Sequence, residues 1–554
     1  MSKKTKCGML LFLLILTIFT YMQVLNNGYV WDDNIFFQER ENIKNAVLSW
    51  KTISHTVLPN ASYFRPLVFL TYILEIKIFG LNPVYMHLDN LIIHLINILL
   101  AYRLSEILTQ DNDKNLVAIP FITASVFALH PIQIETITWI AGRFDLLATT
   151  FSFLTLITLL GENKNKIILG GISFFMALLS KESAVLLIPI YLTAISFNKK
   201  NISIKEIFEN IKNHSKEIAF LLTIFFVYFL IRSLSLDHTI IQSDEFKYIN
   251  NGFFNKIWYG FYITTEYIFI LLNPFSNIGP VHPQMKDLTH SLTWYLYPII
   301  SLTLTFYYLY NLIKNNDSTS KLFILFIISI SLFTQIFVTL FLAQNTIADR
   351  YMYFPLFFFI SFILIKFFKL LKPSLILLII SIYISISIFT IKTTLPMWKD
   401  DLTLWFWQYN KYPNSFAKEL YFHELIRLNR LDILDKEFKN IKNEPTENLN
   451  NNGDIDLMIN QLYAEYLIRK NDPNSVIFLE KLINIFPSNI SKENNVKKIT
   501  LKRAYISCLI QLSQAFYYIN HDYKNASKAL NLAKEYGHDQ YDVIEWSQVL
   551  DKKR

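Results

Sequence analysis

The sequence predicts an all-α protein in two parts: a polytopic membrane body over residues 1–392 and a soluble tail of helical repeats over residues 393–554. Charged residues make up only 17% of the chain and mean hydropathy is positive, whereas soluble proteins carry about a quarter charged residues. Apolar runs recur up to residue 392. Beyond it Lys, Glu, Asn and Asp dominate, and apolar residues recur at helical spacing.

About eleven apolar segments approach the roughly 20 residues that a helix needs to cross the bilayer hydrocarbon. They lie near 8–25, 85–108, 115–130, 145–160, 166–180, 183–198, 217–233, 292–313, 321–342, 351–369 and 374–392. The first follows three lysines and precedes no small-residue cleavage pattern. A retained helix is therefore preferred to the alternative, a cleaved signal peptide.

Three other segments are predicted to lie along the membrane surface. Segment 258–272 contains Glu266 and many aromatic residues, which favours an interfacial or re-entrant helix, with a twelfth span as the alternative. Segment 43–53 has amphipathic spacing, and segment 66–80 is short and contains Glu75 and Lys77.

The basic N-terminus places the start of the first helix in the cytoplasm. Loops 110–114, 162–166, 198–216, 314–321 and 369–372 then face the cytoplasm, and most carry lysine. The tail falls on the opposite side. We expect a bacterial inner membrane, or the endoplasmic reticulum if the source is eukaryotic, with the tail periplasmic or lumenal. Because the net charge of +8 is explained by these loops, no nucleic-acid partner is predicted.

Every unusual polar constellation falls on the non-cytoplasmic side of this topology. The first is Asp32-Asp33, shortly after the first helix. Adjacent carboxylates repel, which raises the pKa of one of them and suits a general base that takes a proton from a hydroxyl. An ordinary solvated turn or helix N-cap is the alternative.

The second constellation joins two predicted spans and contains His130, Glu135, Arg143 and Asp145. Ionisable groups at this depth are expensive unless they pair with one another or with a ligand, so a binding role is predicted. The alternative is a structural ion pair of Arg143 with Asp145 or Glu135. No second His stands at ligand spacing from His130, so no metal site is predicted there.

The remaining constellations supply cations. Lys181-Glu182 interrupts a long apolar stretch, Arg350-Tyr351 opens a span, and Arg65 follows an aromatic pair. Lysine and arginine both bind phosphate, arginine in a bidentate manner. The alternatives are a simple outer turn at Lys181 and an arginine that extends to the interface at Arg350.

At these residues the chain resembles the C-type glycosyltransferase superfamily, and most closely the TMTC protein O-mannosyltransferases and their bacterial relatives. The resemblance covers essentially the whole membrane region. Its motifs occur in the family's order: Asp32-Asp33; Phe64-Arg65-Pro66-Leu67 with Gly80, Pro83 and His87; His130, Pro131, Glu135, Gly142, Arg143, Asp145, Leu146 and Leu147; Lys181-Glu182; Arg350 to Pro355; and Trp398 with Asp400.

The resemblance implies an inverting transfer of one sugar, often mannose, from a dolichyl- or undecaprenyl-phosphate carrier to Ser or Thr hydroxyls. It implies a catalytic base in the first loop, with Asp32 preferred and Asp33 as the alternative. The predicted donor-binding residues are Arg65, His130, Glu135, Arg143, Asp145, Lys181, Glu182, Arg350 and Tyr351. No cofactor is predicted with certainty, since some members of the superfamily use a divalent cation and others do not.

Three departures from the family leave the donor sugar and the acceptor open. They are Gln133 in place of a second His, the composition of the 273–282 loop, and the short tail. A lipid or surface glycan is an alternative acceptor. A transporter or repeat scaffold is a non-enzymatic alternative, although the inverted repeats and mid-membrane charges of a transporter are not evident.

The tail is predicted to form helical hairpins over 415–440, 461–486 and 503–536, with a flexible insertion at 444–452. In the last hairpin Tyr523, Ala526, Ala529, Leu530 and Ala533 follow tetratricopeptide spacing. Arrays of such repeats present a concave surface, so recruitment of a protein acceptor is the hypothesis and generic helical packing the alternative.

Overall fold

The computed structural model describes residues 3–54, 63–109, 118–162, 164–197, 204–236, 253–282, 291–315, 317–334, 347–412, 415–439, 455–486, 496–537 and 541–551. Within these residues the regular structure is entirely helical, which confirms the predicted fold class. The described residues up to Asp400 form one compact unit, and those from Asp401 onward form another.

The longer helices of the first unit follow the apolar segments of the sequence. They are α1 (Lys3–Tyr21), α2 (Pro66–Phe79), α3 (Pro83–Leu108), α4 (Ile119–Leu129), α5 (Arg143–Leu160), α6 (Lys166–Ser180), α7 (Leu187–Ser196), α8 (Ile204–Asn213), α9 (Ser215–Ser235), α10 (Phe253–Leu272), α11 (Leu292–Asn315), α12 (Ser318–Ile330), α13 (Pro355–Leu370) and α14 (Pro373–Thr394). Each predicted span overlaps one of them, but α12 ends at Ile330, and residues 335–342 of the predicted span 321–342 lie outside the described residues. Within the described residues six helices are long and apolar enough to cross a membrane, so the predicted number of about eleven spans is not confirmed.

The two ends of this unit differ in their charged contacts. Three ion pairs join helix ends that the predicted topology assigns to the cytoplasmic side: Lys6–Glu106 at 2.9 Å, Lys166–Glu217 at 2.9 Å and Lys369–Asp317 at 2.8 Å. The predicted site residues lie at the opposite helix ends. Between the ends, His94 and Asn97 of α3 both contact the Tyr353 hydroxyl, at 2.7 and 3.2 Å, in a buried polar network.

Two of the three predicted surface segments form single helices in the structure. Segment 258–272 lies in α10, where the Trp258 indole donates to the Trp294 carbonyl at 3.0 Å, and its placement on the membrane surface stays a prediction. Segment 66–80 forms α2, which ends at Gly80 with φ of 73°.

The single helix predicted over 43–53 is wrong. Short helices cover Glu41–Lys44 and Trp50–Ser54, and between them Ala46 has φ of 50°. The backbone N–H of Val47 donates to the Asn42 carbonyl at 2.8 Å, which closes the first helix. Amphipathic spacing reports which residues share a face, but it does not report where the backbone hydrogen bonding stops.

The second unit consists of paired helices. They are α15 (Asp401–Lys411), α16 (Ser415–Arg427), α17 (Leu431–Lys439), α18 (Ile455–Arg469), α19 (Asn474–Ile485), α20 (Val496–Tyr518), α21 (Tyr523–Gly537) and α22 (Tyr541–Asp551). Three hairpins turn at a residue with positive φ: Asn429 (54°), Asn471 (53°) and His521 (53°). The predicted insertion at 444–452 lies outside the described residues.

The last hairpin packs as its spacing predicts. Ala526, Leu530 and Ala533 of α21 are buried together with Ile506 and Leu509 of α20, and Ala529 is buried against Cys508 and Leu512 of the same helix. Apolar residues at helical spacing thus form the core between the two helices, as in tetratricopeptide repeats.

Candidate active site

The loop after α1 is joined to the loop after α4 through Asp33. Its carboxylate accepts backbone N–H groups from Ala141 at 2.9 Å, Ile140 at 3.3 Å and Val30 at 3.4 Å. The side chain is fully buried. Burial raises the pKa of Asp33 well above its usual range, and the three N–H donors offset only part of this effect.

Trp31 and Asp32 lie on the same docked segment. The Trp31 indole stacks on Trp139 with ring centroids 5.0 Å apart. Asp32 is half-buried, in contrast to Asp33. The ring centroid of its neighbour Trp31 lies 5.2 Å from the Arg350 guanidinium, so Asp32 belongs to the segment that meets this cation.

Arg350 forms the centre of the cation cluster. Its guanidinium pairs with Glu135, and its backbone N–H donates to the same carboxylate at 2.8 Å. The guanidinium lies 5.2 Å from the ring centroids of both Trp31 and Trp139, and 4.9 Å from that of Tyr351. Burial raises the pKa of Glu135, and Arg350 opposes that rise.

Arg65 is the second cation. It binds Glu182 in a bidentate manner, with N–O distances of 3.1 and 2.8 Å. Its guanidinium also packs over the rings of Tyr63 and Phe144, at 4.3 and 4.6 Å. Residues from two predicted motifs therefore meet in one ion pair.

Lys181 is the third cation. Its ammonium donates to Asp145 at 2.6 Å and lies 5.6 and 5.2 Å from the ring centroids of Phe333 and Tyr351. Asp145, Phe333 and Tyr351 line a partly open pocket, whose other walls come from α5, α7, α12 and the start of α13. On α5 the lining residues Asp145, Ala148, Thr149 and Ser152 share one helix face, so the pocket extends from the charged cluster along the helix.

Arg143 requires a correction. The structure buries it completely and gives its guanidinium three protein partners: Glu75 at 2.6 Å, the Asn90 amide oxygen at 2.9 Å and the Met86 carbonyl at 2.8 Å. No surface is left for a donor phosphate, so the predicted ligand-binding role is replaced by a structural one. The alternative partners considered from the sequence, Asp145 and Glu135, are wrong as well, because each pairs with another cation.

His130 is corrected in the same way. Its Nε2 lies 3.1 Å from the Leu271 carbonyl and its Nδ1 accepts from the Ile132 backbone N–H at 3.2 Å. Burial lowers the pKa of His130 to about 4. A neutral imidazole with both nitrogens bound to protein cannot also hold a phosphate.

Sequence reasoning missed the groups that hold these cations in place. Glu75 and Asn90 fix Arg143. Asp349, next to Arg350, instead ties its own turn to the segment after α10: it accepts from Gly279 N–H at 2.8 Å and contacts His282 Nε2 at 2.8 Å. Asp349 could have been found from its position beside Arg350. No local pattern marks the others, because their partners are distant in sequence.

The cluster offers cations and an acid but no evident cage for a metal. In the part of the chain that the structure describes, no group of three or more His, Cys, Asp or Glu side chains is arranged to hold a metal ion. Arg65, Lys181 and Arg350 are each held in an ion pair, and fixed cations of this kind can stabilise a developing negative charge.

The helices and this cluster together define a multi-pass helical membrane protein with a buried ionic site at one end of its bundle. The chain is similar to proteins of the TMTC family named protein O-mannosyl-transferases. It is 31% identical to human TMTC1 over 137 residues, which is 23% of this chain and 15% of that protein. It is 30% identical to Caenorhabditis elegans F38B6.6 over 189 residues, 33% of this chain and 27% of that protein.

A further relative, Drosophila melanogaster Tmtc1, is 25% identical over 176 residues, 30% of this chain and 20% of that protein. The matches confirm the resemblance to the TMTC family, and they cover less than a third of the length of each of these relatives. No family model and no solved structure matches the chain.

Proposed function

We propose that the protein transfers a single sugar, with mannose as the first candidate, from a polyprenyl- or dolichyl-phosphate carrier to a Ser or Thr hydroxyl of a protein. One observation carries the proposal: the cations of three buried cation–carboxylate pairs pack against Tyr63 and Tyr351, and one of them, Arg350, also packs against Trp31, the neighbour of Asp32. The names of the relatives support the reaction class.

In the proposed reaction Asp32 takes the proton of the acceptor hydroxyl. The hydroxyl oxygen attacks the anomeric carbon as the bond from that carbon to the carrier phosphate breaks, which inverts the anomeric configuration. The phosphate leaves on its lipid with the electron pair. Arg65, Lys181 and Arg350 stabilise the charge that develops on it, as fixed cations do at other leaving groups.

Each cation is neutralised by a carboxylate before a donor binds. Taking unpaired charges out of water would cost several kcal/mol per ion, and pairing with the carboxylates offsets this desolvation cost. An entering phosphate competes with them for the same N–H donors. Lys181 is the best-placed contact, because its partner Asp145 lines the pocket.

We propose that the reaction takes place outside the cytoplasm. The helix ends at the other end of the bundle carry the lysines of three ion pairs, and lysine is enriched on the cytoplasmic side of membrane proteins. The helical hairpins of the tail favour a protein acceptor that they recruit. The alternative, transfer to a lipid or glycan, is distinguished from transfer to a protein by offering each kind of acceptor in the assay.

The test uses full-length purified protein with polyprenyl-phosphate-mannose and a Ser/Thr-rich polypeptide, and follows the transfer of mannose. Wild type should transfer sugar, and Asp32→Asn should reduce the rate by about a hundredfold or more. Asp317→Asn, at the opposite end of the bundle, is the matched control and should keep the wild-type rate. Equal transfer by wild type and Asp32→Asn would exclude Asp32 as the base. Mannose transfer to a lipid acceptor offered in a parallel assay, without transfer to the polypeptide, would exclude the protein acceptor.

A further inference from the structure

The carboxylate of Asp33 connects two loops that are far apart in the sequence. It binds the backbone N–H of Val30 on its own loop and those of Ile140 and Ala141, the latter 108 positions away along the chain. All three donors are backbone groups. The contact therefore fixes the backbone of both loops relative to each other. Asp33 is completely buried in this contact.

Trp31 adds a second contact between the same loops. Its backbone has φ of 56° and ψ of −125°, a conformation that bulky L-residues rarely adopt. Strained backbone of this kind persists only where surrounding contacts hold it, and it is concentrated at functional sites. Here the stacking of Trp31 on Trp139 and the adjacent bonds of Asp33 supply those contacts.

These two contacts leave Asp32 as the accessible acid of the segment. Trp31 is turned toward Trp139 and Arg350, and Asp33 is turned toward the backbone of residues 140 and 141. Asp32, between them, is half-buried, and the ring centroid of its neighbour Trp31 lies 5.2 Å from the Arg350 guanidinium. A substrate hydroxyl can approach Asp32, whereas Asp33 has no surface that it could reach.

We infer that Asp33 and Trp31 are positioning residues that hold Asp32 against the cation cluster, and that Asp33 is not the base. This inference rests on the proposed function for its kinetic consequence. Its structural consequence, a Trp31–Trp139 stack that depends on Asp33, can be measured without any activity.

The kinetic test compares Asp32→Asn, Asp33→Asn and Trp31→Gly in full-length protein. Asn at position 33 keeps one acceptor oxygen but turns an NH₂ group toward N–H donors, so the connection between the loops is weakened. Asp33→Asn should lower kcat roughly 10- to 100-fold through misplacement of the base. The KM for the donor should stay unchanged and the acid limb of the pH–rate profile should be retained. Asp32→Asn should abolish that limb.

Trp31→Gly guards against simple misfolding. Glycine adopts positive φ without strain, so the backbone turn is kept while the indole is lost. It should lower kcat in the same way as Asp33→Asn, and Trp31→Phe, which retains a ring to stack on Trp139, should restore part of the rate.

The structural test uses near-ultraviolet circular dichroism, which reports the coupling of stacked indoles. The signal should change in Asp33→Asn and Trp31→Gly and stay at the wild-type level in Asp32→Asn and in the control Asp317→Asn. The inference is overturned if Asp33→Asn leaves the spectrum unchanged, or if it removes the acid limb that Asp32→Asn retains. If wild type transfers no sugar, the proposed function fails and the spectra still decide the role of Asp33.

Discussion

Arg350 binds Glu135 twice, through its guanidinium and through its own backbone N–H. The side-chain contact neutralises the cation, and the backbone contact fixes the turn of residues 349–352 on which it stands. Arg350 is therefore held in place independently of any ligand. That property distinguishes it from a flexible arginine extending to the membrane interface, the alternative that the sequence had left open.

This arrangement predicts that a positive charge at position 350 does not suffice for donor binding without the planar donors of a guanidinium. Arg350→Lys keeps the positive charge but loses the planar donors that bind a carboxylate or phosphate through two bonds. We expect KM for the donor to rise about tenfold, as measured by initial rates of sugar transfer across donor concentrations. Lys369→Arg, in an ion pair at the opposite end of the bundle, is the matched control and should leave KM unchanged. Donor affinity equal to wild type in Arg350→Lys would contradict a phosphate contact.

The buried Arg143–Glu75 pair should affect the stability of the fold and not donor binding. Removing one partner of a buried pair leaves an uncompensated charge, so Glu75→Leu should destabilise the protein by about 3–5 kcal/mol. The double variant Glu75→Leu, Arg143→Met should recover most of that loss, because both charges are then absent. Thermal unfolding in detergent, followed by helical circular dichroism, measures both. If the double variant is no more stable than the single one, the contact is not acting as an isolated pair.

Asp33 should give the protein a distinctive pH dependence of stability. Because burial raises its pKa, the folded state retains a proton that the unfolded state releases. The contribution of Asp33 is therefore fully present below about pH 4, the unfolded value, and is lost as the pH rises toward the folded-state pKa. Tm measured across this range should fall with rising pH more steeply in wild type than in Asp33→Asn. If the plots of Tm against pH are parallel for wild type and Asp33→Asn, the pKa of Asp33 is not raised in the folded protein.

Gly142 should tolerate no side chain. A Cβ at this position would lie 2.2 Å from the Thr136 carbonyl oxygen, a backbone atom that cannot move away alone. Gly142→Ala should therefore lower Tm and reduce transfer, since the same turn carries Glu135 and Trp139. Gly8→Ala is the matched control: nothing lies within 4 Å of its Cβ, and alanine favours the helix by about 0.5–1 kcal/mol. Equal Tm for Gly142→Ala and wild type would mean that the loop relaxes freely.

The types and approximate positions of the site residues could be predicted from the sequence, but their roles could not. Asp145, Lys181, Glu182 and Arg350 lie in the ion pairs of the cluster, and their role in donor binding stays a prediction, while Arg143 and His130 are buried against protein partners. A charged residue at a membrane interface is expensive in either role. Composition and spacing therefore identify the loop without separating a ligand contact from an internal ion pair.

Most of the long helices, the change in composition after residue 392 and the hairpins of the tail could be predicted from the sequence, because apolar periodicity reports how each helix is buried along its length. The pairing of the charged residues required the tertiary structure. The Lys181–Asp145 partners are 36 positions apart and the Arg350–Glu135 partners 215 apart. Such distances are bridged by the packing of several helices, and no local backbone preference encodes them.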